Sequence, residues 1–335
     1  MTALVTGASG FLGGTLASTL IARGEKVRIL ARTTSKLDHL KELQLEIAYG
    51  SLEDQSSLIE ALKGIDIVYH CAALSFDWGR WEEFFQTNVT GVKNLLEAAI
   101  NTSSLKRFLH ISTSDVYGYP AKACDESYPI TDIGLPYNRS KGMGEKAVWD
   151  YHRDTGLPVT IIRPVTIYGP RSKDIVGEIV KLLFKKQMVL INHGKSRAGL
   201  LYVDNAVEGI IQAATSPNTI GQAYNLRDET DETWKQYVEA LADGLEVPYP
   251  RLNFSSGLAL AVARLLEKLY SSFRIPSRPL LTRHAVYLCF RDQGYSIEKA
   301  QHDFGFKSKV TFEEGISRTL SWLRSDEGKN FMFRI

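Results

Sequence analysis

Thr6-Gly7-Ala8-Ser9-Gly10-Phe11-Leu12-Gly13 is the stretch on which the fold turns. It follows the apolar run Ala3-Leu4-Val5, which reads as a strand. It opens residues 11–22, where apolar side chains recur at helical spacing and Gly24 stands where a helix ends. Glycines let a chain turn sharply from strand to helix and approach a pyrophosphate closely. The free N–H groups and positive end of the helix then stabilise the phosphates. The spacing is GxxGxxG rather than the commoner GxGxxG, and a plain tight turn would also use such glycines. Its position directly after the first strand favours the nucleotide cradle. Gly7, Ser9, Gly10, Phe11, Leu12 and Gly13 are the expected cofactor contacts, with Gly13 letting the helix pack near the strand.

Outward from this loop, strands are expected at 26–31, 45–49, 65–70, 107–111 and 159–162. Helices are expected at 54–62, 89–100 and 137–152. Strands alternating with helices at this step build βαβ units, and right-handed crossovers put helices on both faces of a parallel sheet. The fold class is therefore α/β, a doubly wound parallel-sheet Rossmann fold. After Gly169 the alternation fades into helices at 176–184, 233–241 and 257–270 with Pro-rich connectors. Residues 1–170 read as a dinucleotide-binding domain, to which 200–225 return through a helix at 203–214. Residues 171–199 and 226–335 read as a smaller, mixed C-terminal substrate lobe.

The composition supports an ordinary globular protein: 335 residues, 44% hydrophobic and 23% charged, with a net charge of +2. These figures exclude disordered, collagen-like and disulfide-scaffold classes. They give no electrostatic argument for a nucleic-acid partner. Cys71, Cys124 and Cys289 are scattered, and the seven His show no ligand spacing, so neither disulfides nor a metal site is expected. The start Met1-Thr2-Ala3-Leu4 has no signal-peptide pattern, so a cytoplasmic location is expected. The apolar run 258–266 is about half of the ~20 residues that span a bilayer, and Arg264 interrupts it. It reads as an amphipathic core helix; the alternative is a surface that rests on a membrane or frames an apolar substrate.

The second strand ends Arg28-Ile29-Leu30-Ala31-Arg32-Thr33-Thr34. A carboxylate here would bind a ribose 2′-hydroxyl, and an Arg accommodates a 2′-phosphate. No carboxylate is present, and Arg32 is followed by Lys36, so NADP(H) is favoured over NAD(H). Arg32 as a solvated strand-end charge is the plainer alternative.

Tyr137-Asn138-Arg139-Ser140-Lys141 follows Pro136 and opens a helix, so phenol and ammonium share one face. A neighbouring cation favours the phenolate of a Tyr whose reference pKa is ~10. The same spacing also occurs as surface decoration. A second element, His110-Ile111-Ser112-Thr113-Ser114-Asp115-Val116-Tyr117-Gly118, leaves the fifth strand at its carboxyl end, where open α/β sheets bind ligands. Its hydroxyls can bond a substrate carbonyl, or can satisfy the turn.

With these elements in this order the chain resembles the extended short-chain dehydrogenase/reductase family over nearly its whole length. Further matching segments are His70-Cys71-Ala72-Ala73, Asn88-Val89-Thr90-Gly91, Arg163-Pro164, Tyr168-Gly169-Pro170 and Tyr202-Val203-Asp204-Asn205. The resemblance implies a hydride-transfer site with Tyr137 as acid/base. Lys141 would bind the nicotinamide ribose and lower the phenol's pKa, and Thr113 stands at the family's Ser/Thr position with Ser112 as fallback. Leu52, Ala72, Ala73 and Pro164 would line the cofactor. A homodimer through the helices at 89 and 137 is also implied.

Within the family, sugar-nucleotide epimerases usually carry an acidic residue after the second strand, Asn at the place of Thr166, and Arg at the place of Ala198, one residue from Arg197. The chain is more similar to the 3β-hydroxysteroid dehydrogenase/dihydroflavonol reductase-like branch, which includes bacterial reductases of 2-alkyl-3-oxoalkanoates. That likeness rests on Arg163-Pro164, on Trp78-Gly79-Arg80-Trp81, and on Leu281-Thr282-Arg283, Tyr295-Ser296-Ile297-Glu298-Lys299-Ala300, Phe304-Gly305-Phe306 and Glu313-Glu314-Gly315. The expected function is NADP(H)-dependent interconversion of hydroxyl and carbonyl on an apolar small molecule. Trp78 and Trp81, with Phe84 and Phe85, would form an aromatic wall beside the nicotinamide or simply pack against the lobe. Ser114, Asp115 and Thr166 are further candidate substrate contacts. Two alternatives stay open: an NAD-dependent nucleotide-sugar epimerase/dehydratase, which Asp115 supports, and a silent dinucleotide-binding regulator, against which Thr113, Tyr137 and Lys141 argue.

Overall fold

The computed structural model describes residues 1–334. The first half alternates as β1 (Thr2–Thr6), α1 (Phe11–Ala22), β2 (Lys26–Ala31), β3 (Glu46–Tyr49), α2 (Gln55–Leu62), β4 (Ile67–His70), α3 (Trp81–Phe85), α4 (Gly91–Ile100), β5 (Arg107–Ile111), α5 (Pro136–Thr155) and β6 (Val159–Pro164). Then follow β7 (Thr166–Tyr168), α6 (Glu178–Phe184), β8 (Val189–Ile191), β9 (Leu200–Tyr202), α7 (Val203–Thr215), β10 (Gln222–Leu226), α8 (Trp234–Gly244), β11 (Leu252–Phe254), α9 (Ser256–Ser272), α10 (Arg283–Phe290), α11 (Glu298–Phe304), α12 (Phe312–Arg324) and α13 (Asp326–Arg334).

One seven-stranded parallel sheet carries the molecule, in the order β3-β2-β1-β4-β5-β6-β10. It is a Rossmann-type α/β fold. The middle strands β4, β5 and β6 are buried along their whole length, as a sheet covered on both faces requires. On one face Leu16 and Leu20 of α1 meet Ile210 and Ala214 of α7. On the other, Leu58 and Leu62 of α2, Leu95 and Leu96 of α4 and Val148 of α5 close the second layer. A third core, around Tyr168, Tyr202, Trp234, Tyr237 and Leu320, joins β7, β9, α8 and α12. Strand order reverses between β1 and β4, which opens a crevice at their carboxyl ends.

Local sequence accounts for the helix ends. The Asp54 carboxylate accepts from the N–H groups of Ser56 and Ser57 and caps α2. Pro136 occupies the first turn of α5, and Gly156 in the left-handed region ends it. Two findings depart from expectation. The helix expected at 89–100 begins with a π-helical turn at 86–90, which turns Asn88 inward. Its amide there bonds the N–H and C=O of Leu74 and Oγ of Ser140. The apolar run 258–266 does not form a core helix. Only Ala259 and Ala263 of α9 are buried, while Leu258 and Leu265 are 53% and 58% exposed. No helix among the described residues is long and apolar enough to cross a membrane.

Candidate active site

The glycine loop is built from backbone alone. Gly7 sits at φ +73°, a conformation that favours glycine, and its carbonyl accepts the Gly10 N–H at 2.9 Å. Gly10 precedes α1 without any side-chain cap, which leaves the first N–H groups of the helix available to an anion. A Cβ on Gly7 would lie 2.7 Å from the Ala72 nitrogen, and one on Gly13 would lie 2.4 Å from the Gly7 oxygen. The loop therefore lies directly on the segment after β4. Thr6 Oγ1 pins that segment by accepting from the Ala72 N–H at 3.2 Å. Gly13→Ala is expected to push this cradle apart and weaken dinucleotide binding by roughly 5- to 100-fold, the cost of overpacking a tight site. Fluorescence titration with the reduced dinucleotide would measure it.

A cleft of about 2070 Å³ opens at the carboxyl ends of the strands. Gly7, Ser9, Gly10, Phe11, Leu12 and Gly13 line it, with Leu52, Ala72, Ala73 and Pro164. Arg32 lines it too, beside Ser35 and Lys36, and has no carboxylate partner among the described residues. Thr113, Ser114, Asp115, Tyr137, Lys141 and Thr166 complete one wall. Thr166 Oγ1 is buried there without a hydrogen-bond partner among the described residues.

The start of α5 is fixed by Asn138. Its Nδ2 donates to the carbonyls of Asp115 and Thr131, at 2.6 and 3.0 Å, and its Oδ1 accepts the Ile133 N–H at 3.1 Å. That ties the helix to the loop leaving β5 and sets the Tyr137 phenol beside the Thr113 hydroxyl in the cleft. Thr113 Oγ1 also accepts the Asp115 N–H at 3.2 Å. One turn along α5, buried Lys141 donates from Nζ to the Ile111 carbonyl at 2.6 Å. Burial brings its ammonium down to about 8.

This geometry corrects one expectation. The phenol of Tyr137 is held above its ordinary range, not below it. Burial is the main cause and the Asp115 carboxylate adds to it, while the neighbouring Thr113 hydroxyl pulls the other way. Lys141 directs its charge to Ile111 instead. The structure also separates the two hydroxyls the sequence left open. Ser112 Oγ donates to Glu145 Oε2 at 2.6 Å inside a buried ion pair with Arg163, so Ser112 is occupied where Thr113 faces the phenol.

The aromatic wall is a second correction. Trp78 and Trp81 do not line the cleft. Trp78 meets Tyr270 edge-on at 6.3 Å, and Trp81 lies under the Arg139 guanidinium at 4.6 Å. Phe84 is fully buried. The short helix α3 turns this face toward α5, and Phe76 and Asp77 from the preceding loop face the cleft instead. Arg278 and Thr282 hold Asp77 there, and Asp174 nearby is pushed up to about 6 by burial and by Asp77.

Sequence reasoning missed His284. Its ring lies 5.8 Å from that of Tyr137. Its Nε2 is 3.5 Å from Asp115 Oδ2 and 3.4 Å from the Tyr119 hydroxyl. Burial raises the Asp115 carboxyl above the ordinary range, and His284 opposes that. No local signal marks His284, because α10 brings it in from far along the chain.

Comparison with known proteins agrees with this architecture. The model of the NAD dependent epimerase/dehydratase family matches residues 3–226. The chain is 29% identical over 322 residues to the 4-hydroxy-2-methyl-3-oxo-4-farnesyl-3,4-dihydroquinoline-1-oxide ketoreductase of Stigmatella aurantiaca, covering 94% of this chain and 95% of that protein. It is 28% identical over 327 residues to the 2-alkyl-3-oxoalkanoate reductase of Stenotrophomonas maltophilia, covering 95% and 98%. The solved structure of gox2253 superimposes with a TM-score of 0.81 at 26% identity, over 96% of this chain and 98% of that one. With a matched model spanning both the glycine loop and the Tyr/Lys helix, the chain is an enzyme of the NAD dependent epimerase/dehydratase family.

Proposed function

We propose that the protein is an NADP(H)-dependent oxidoreductase that interconverts a hydroxyl and a carbonyl on an apolar substrate of the 3-oxoalkanoate or 3β-hydroxysteroid type. The observation that carries this reading is the Thr113–Tyr137 hydroxyl pair, with Lys141 one turn away, in a cleft whose far wall is apolar. That wall includes Ile179, Val189, Val262, Leu266 and Leu281. The two relatives support the reading by name, one a ketoreductase of a farnesyl compound and one a reductase of alkyl-substituted 3-oxoalkanoates. Residues 171–199 and 226–335 would supply the substrate side.

A bound nicotinamide dinucleotide supplies or accepts the hydride. The chain does the rest. The N–H groups of the glycine loop would hold the pyrophosphate, and Arg32, Ser35 and Lys36 would hold a 2′-phosphate. Thr113 orients the reacting oxygen, and Tyr137 gives it a proton in reduction and takes one away in oxidation. A phenol held above its ordinary range is protonated at neutral pH, so its proton is in place for reduction. Carbonyl reduction is therefore expected to stay flat from about pH 6 up to about pH 8, where buried Lys141 begins to lose its charge. Alcohol oxidation needs the phenolate and should climb by about tenfold per unit over the same range. Initial rates in both directions would check the sign.

Arg197 and Asp115 weigh against a nucleotide-sugar substrate. Arg197 is engaged by Asp292 and Asp231 rather than facing the cleft, and Asp115 is engaged by His284. The deciding experiment is a cofactor-oxidation assay with a series of alkyl 3-oxo compounds and 3-ketosteroids, run beside an epimerase assay on nucleotide sugars. Turnover of the ketones supports the proposal. Epimerisation by protein that carries stoichiometric NAD, without ketone turnover, would overturn it. For the cofactor, Arg32→Ala is expected to weaken NADP+ binding by about 10- to 100-fold, the worth of a charge-assisted hydrogen bond. NAD+ binding should change little, and calorimetric titration of both separates the two.

A further inference from the structure

Helix α9 presents three different stripes. At about 100° per residue, Ala259 and Ala263 point inward and are fully buried. Val262 and Leu266 lie next to them and line the cleft. Leu258, Leu265 and Leu269 fall together on the outer side and are exposed. The apolar surface therefore runs unbroken around the helix, from the cleft wall to the outside. The chain beyond the helix extends it. Phe273 is 73% exposed, Ile275 is exposed, and Leu280 is 61% exposed while also lining the cleft mouth.

Charge along this stretch of chain is one-sided. Residues 247–291 contain seven Arg and Lys and a single carboxylate, Glu267, in a chain whose net charge is only +2. Glu267 is taken by Arg283, and Arg278 is taken by Asp77. Arg264 and Lys268 flank the outer leucine stripe on the side away from the cleft, and Arg274 follows it. None of the three has a carboxylate partner among the described residues, and all are exposed.

These features select among possible occupants. A second copy packed with its α9 antiparallel on this face across a two-fold axis would set the Arg264 and Lys268 rows against each other. Exposed leucines and a phenylalanine flanked by free cations instead match a lipid interface, with apolar side chains among acyl chains and cations at anionic headgroups. We propose that α9 and residues 273–280 seat the protein on an anionic lipid surface, onto which the cleft opens. An apolar substrate would then enter past Leu280, Val262 and Leu266 without crossing water. The docking stands on the surface alone; only this route of entry rests on the proposed function.

The test is co-sedimentation of the full chain with vesicles of phosphatidylcholine, and of phosphatidylcholine containing about one-third phosphatidylglycerol. Binding is expected to the anionic vesicles and to fall at high salt. Replacing both cations (Arg264→Glu with Lys268→Glu) should weaken that binding by at least roughly 30-fold. Leu265→Glu with Leu269→Glu should weaken it by more than about tenfold, and the milder Leu265→Ala with Leu269→Ala by less. Ile59→Glu, on the exposed side of α2, should leave it unchanged. Equal sedimentation of wild type with both vesicle types or with neither overturns the proposal. So does a self-association that Leu265→Glu abolishes. Vesicle binding is read without turnover, so failure here is separable from failure of the oxidoreductase reading.

Discussion

Tyr137→Phe is expected to lower turnover in both directions by about 10²- to 10⁴-fold, the worth of a positioned proton transfer. Dinucleotide affinity should stay near the wild-type value. The substitution removes one oxygen and keeps the ring, so contact with His284 at 5.8 Å survives and Asn138 still ties α5 to the β5 loop. What disappears is the hydroxyl that lies beside Thr113. Any residual rate should lose the rise with pH expected of alcohol oxidation, because no phenolate can form. Paired measurement of kcat and of dinucleotide Kd checks the prediction. Turnover within a few-fold of wild type would remove Tyr137 from the chemistry.

Glu145→Ala is expected to destabilise the fold by about 3–5 kcal/mol, the cost of leaving a buried charge without its partner. Arg163 and Glu145 have side chains 6% and 0% exposed. The guanidinium reaches Glu145 from Nε at 3.1 Å and Tyr117 from Nη1 at 2.8 Å. Burial alone would lower its pKa, but Glu145 and Tyr117 more than compensate, so it stays charged. Without the carboxylate that charge remains in the core, and Ser112 Oγ and Trp149 Nε1 each lose their acceptor. Urea unfolding should show a lower midpoint. Replacing both partners, Glu145→Leu with Arg163→Met, should cost less than Glu145→Ala alone. Because Ser112 directly precedes Thr113, activity is expected to fall in Glu145→Ala even where the protein remains folded.

Much of this protein is written in short-range spacing. The alternation of strands and helices up to β6, the glycine loop and the i, i+4 placement of Tyr137 and Lys141 each depend on residues within one or two turns of one another. A period of two or 3.6, or a glycine needed at φ +73°, leaves its mark in the sequence whatever lies across the molecule. The parallel sheet and the crevice at the ends of β1 and β4 follow from that alternation by the handedness of crossovers.

Other features depend on partners far away in sequence. Nothing near Ser112 and Thr113 says which hydroxyl meets the phenol; Glu145 claims one from the middle of α5, and the other is left for Tyr137. The phenol's pKa depends on burial and on Asp115, quantities that exist only in the folded chain. Trp78 and Trp81 look like a cleft wall by position, yet Tyr270 and Arg139 draw them elsewhere, and His284 arrives with α10 unannounced.

Neighbouring residues suffice to specify the strands and helices of the sheet, the glycine loop and the Tyr/Lys helix, because backbone dihedrals and helical phase are set over a few positions. Which groups face one another in the cleft, and which face of α9 stays outside, is settled across the fold, because desolvation and hydrogen bonding act through space between segments that the chain order keeps apart.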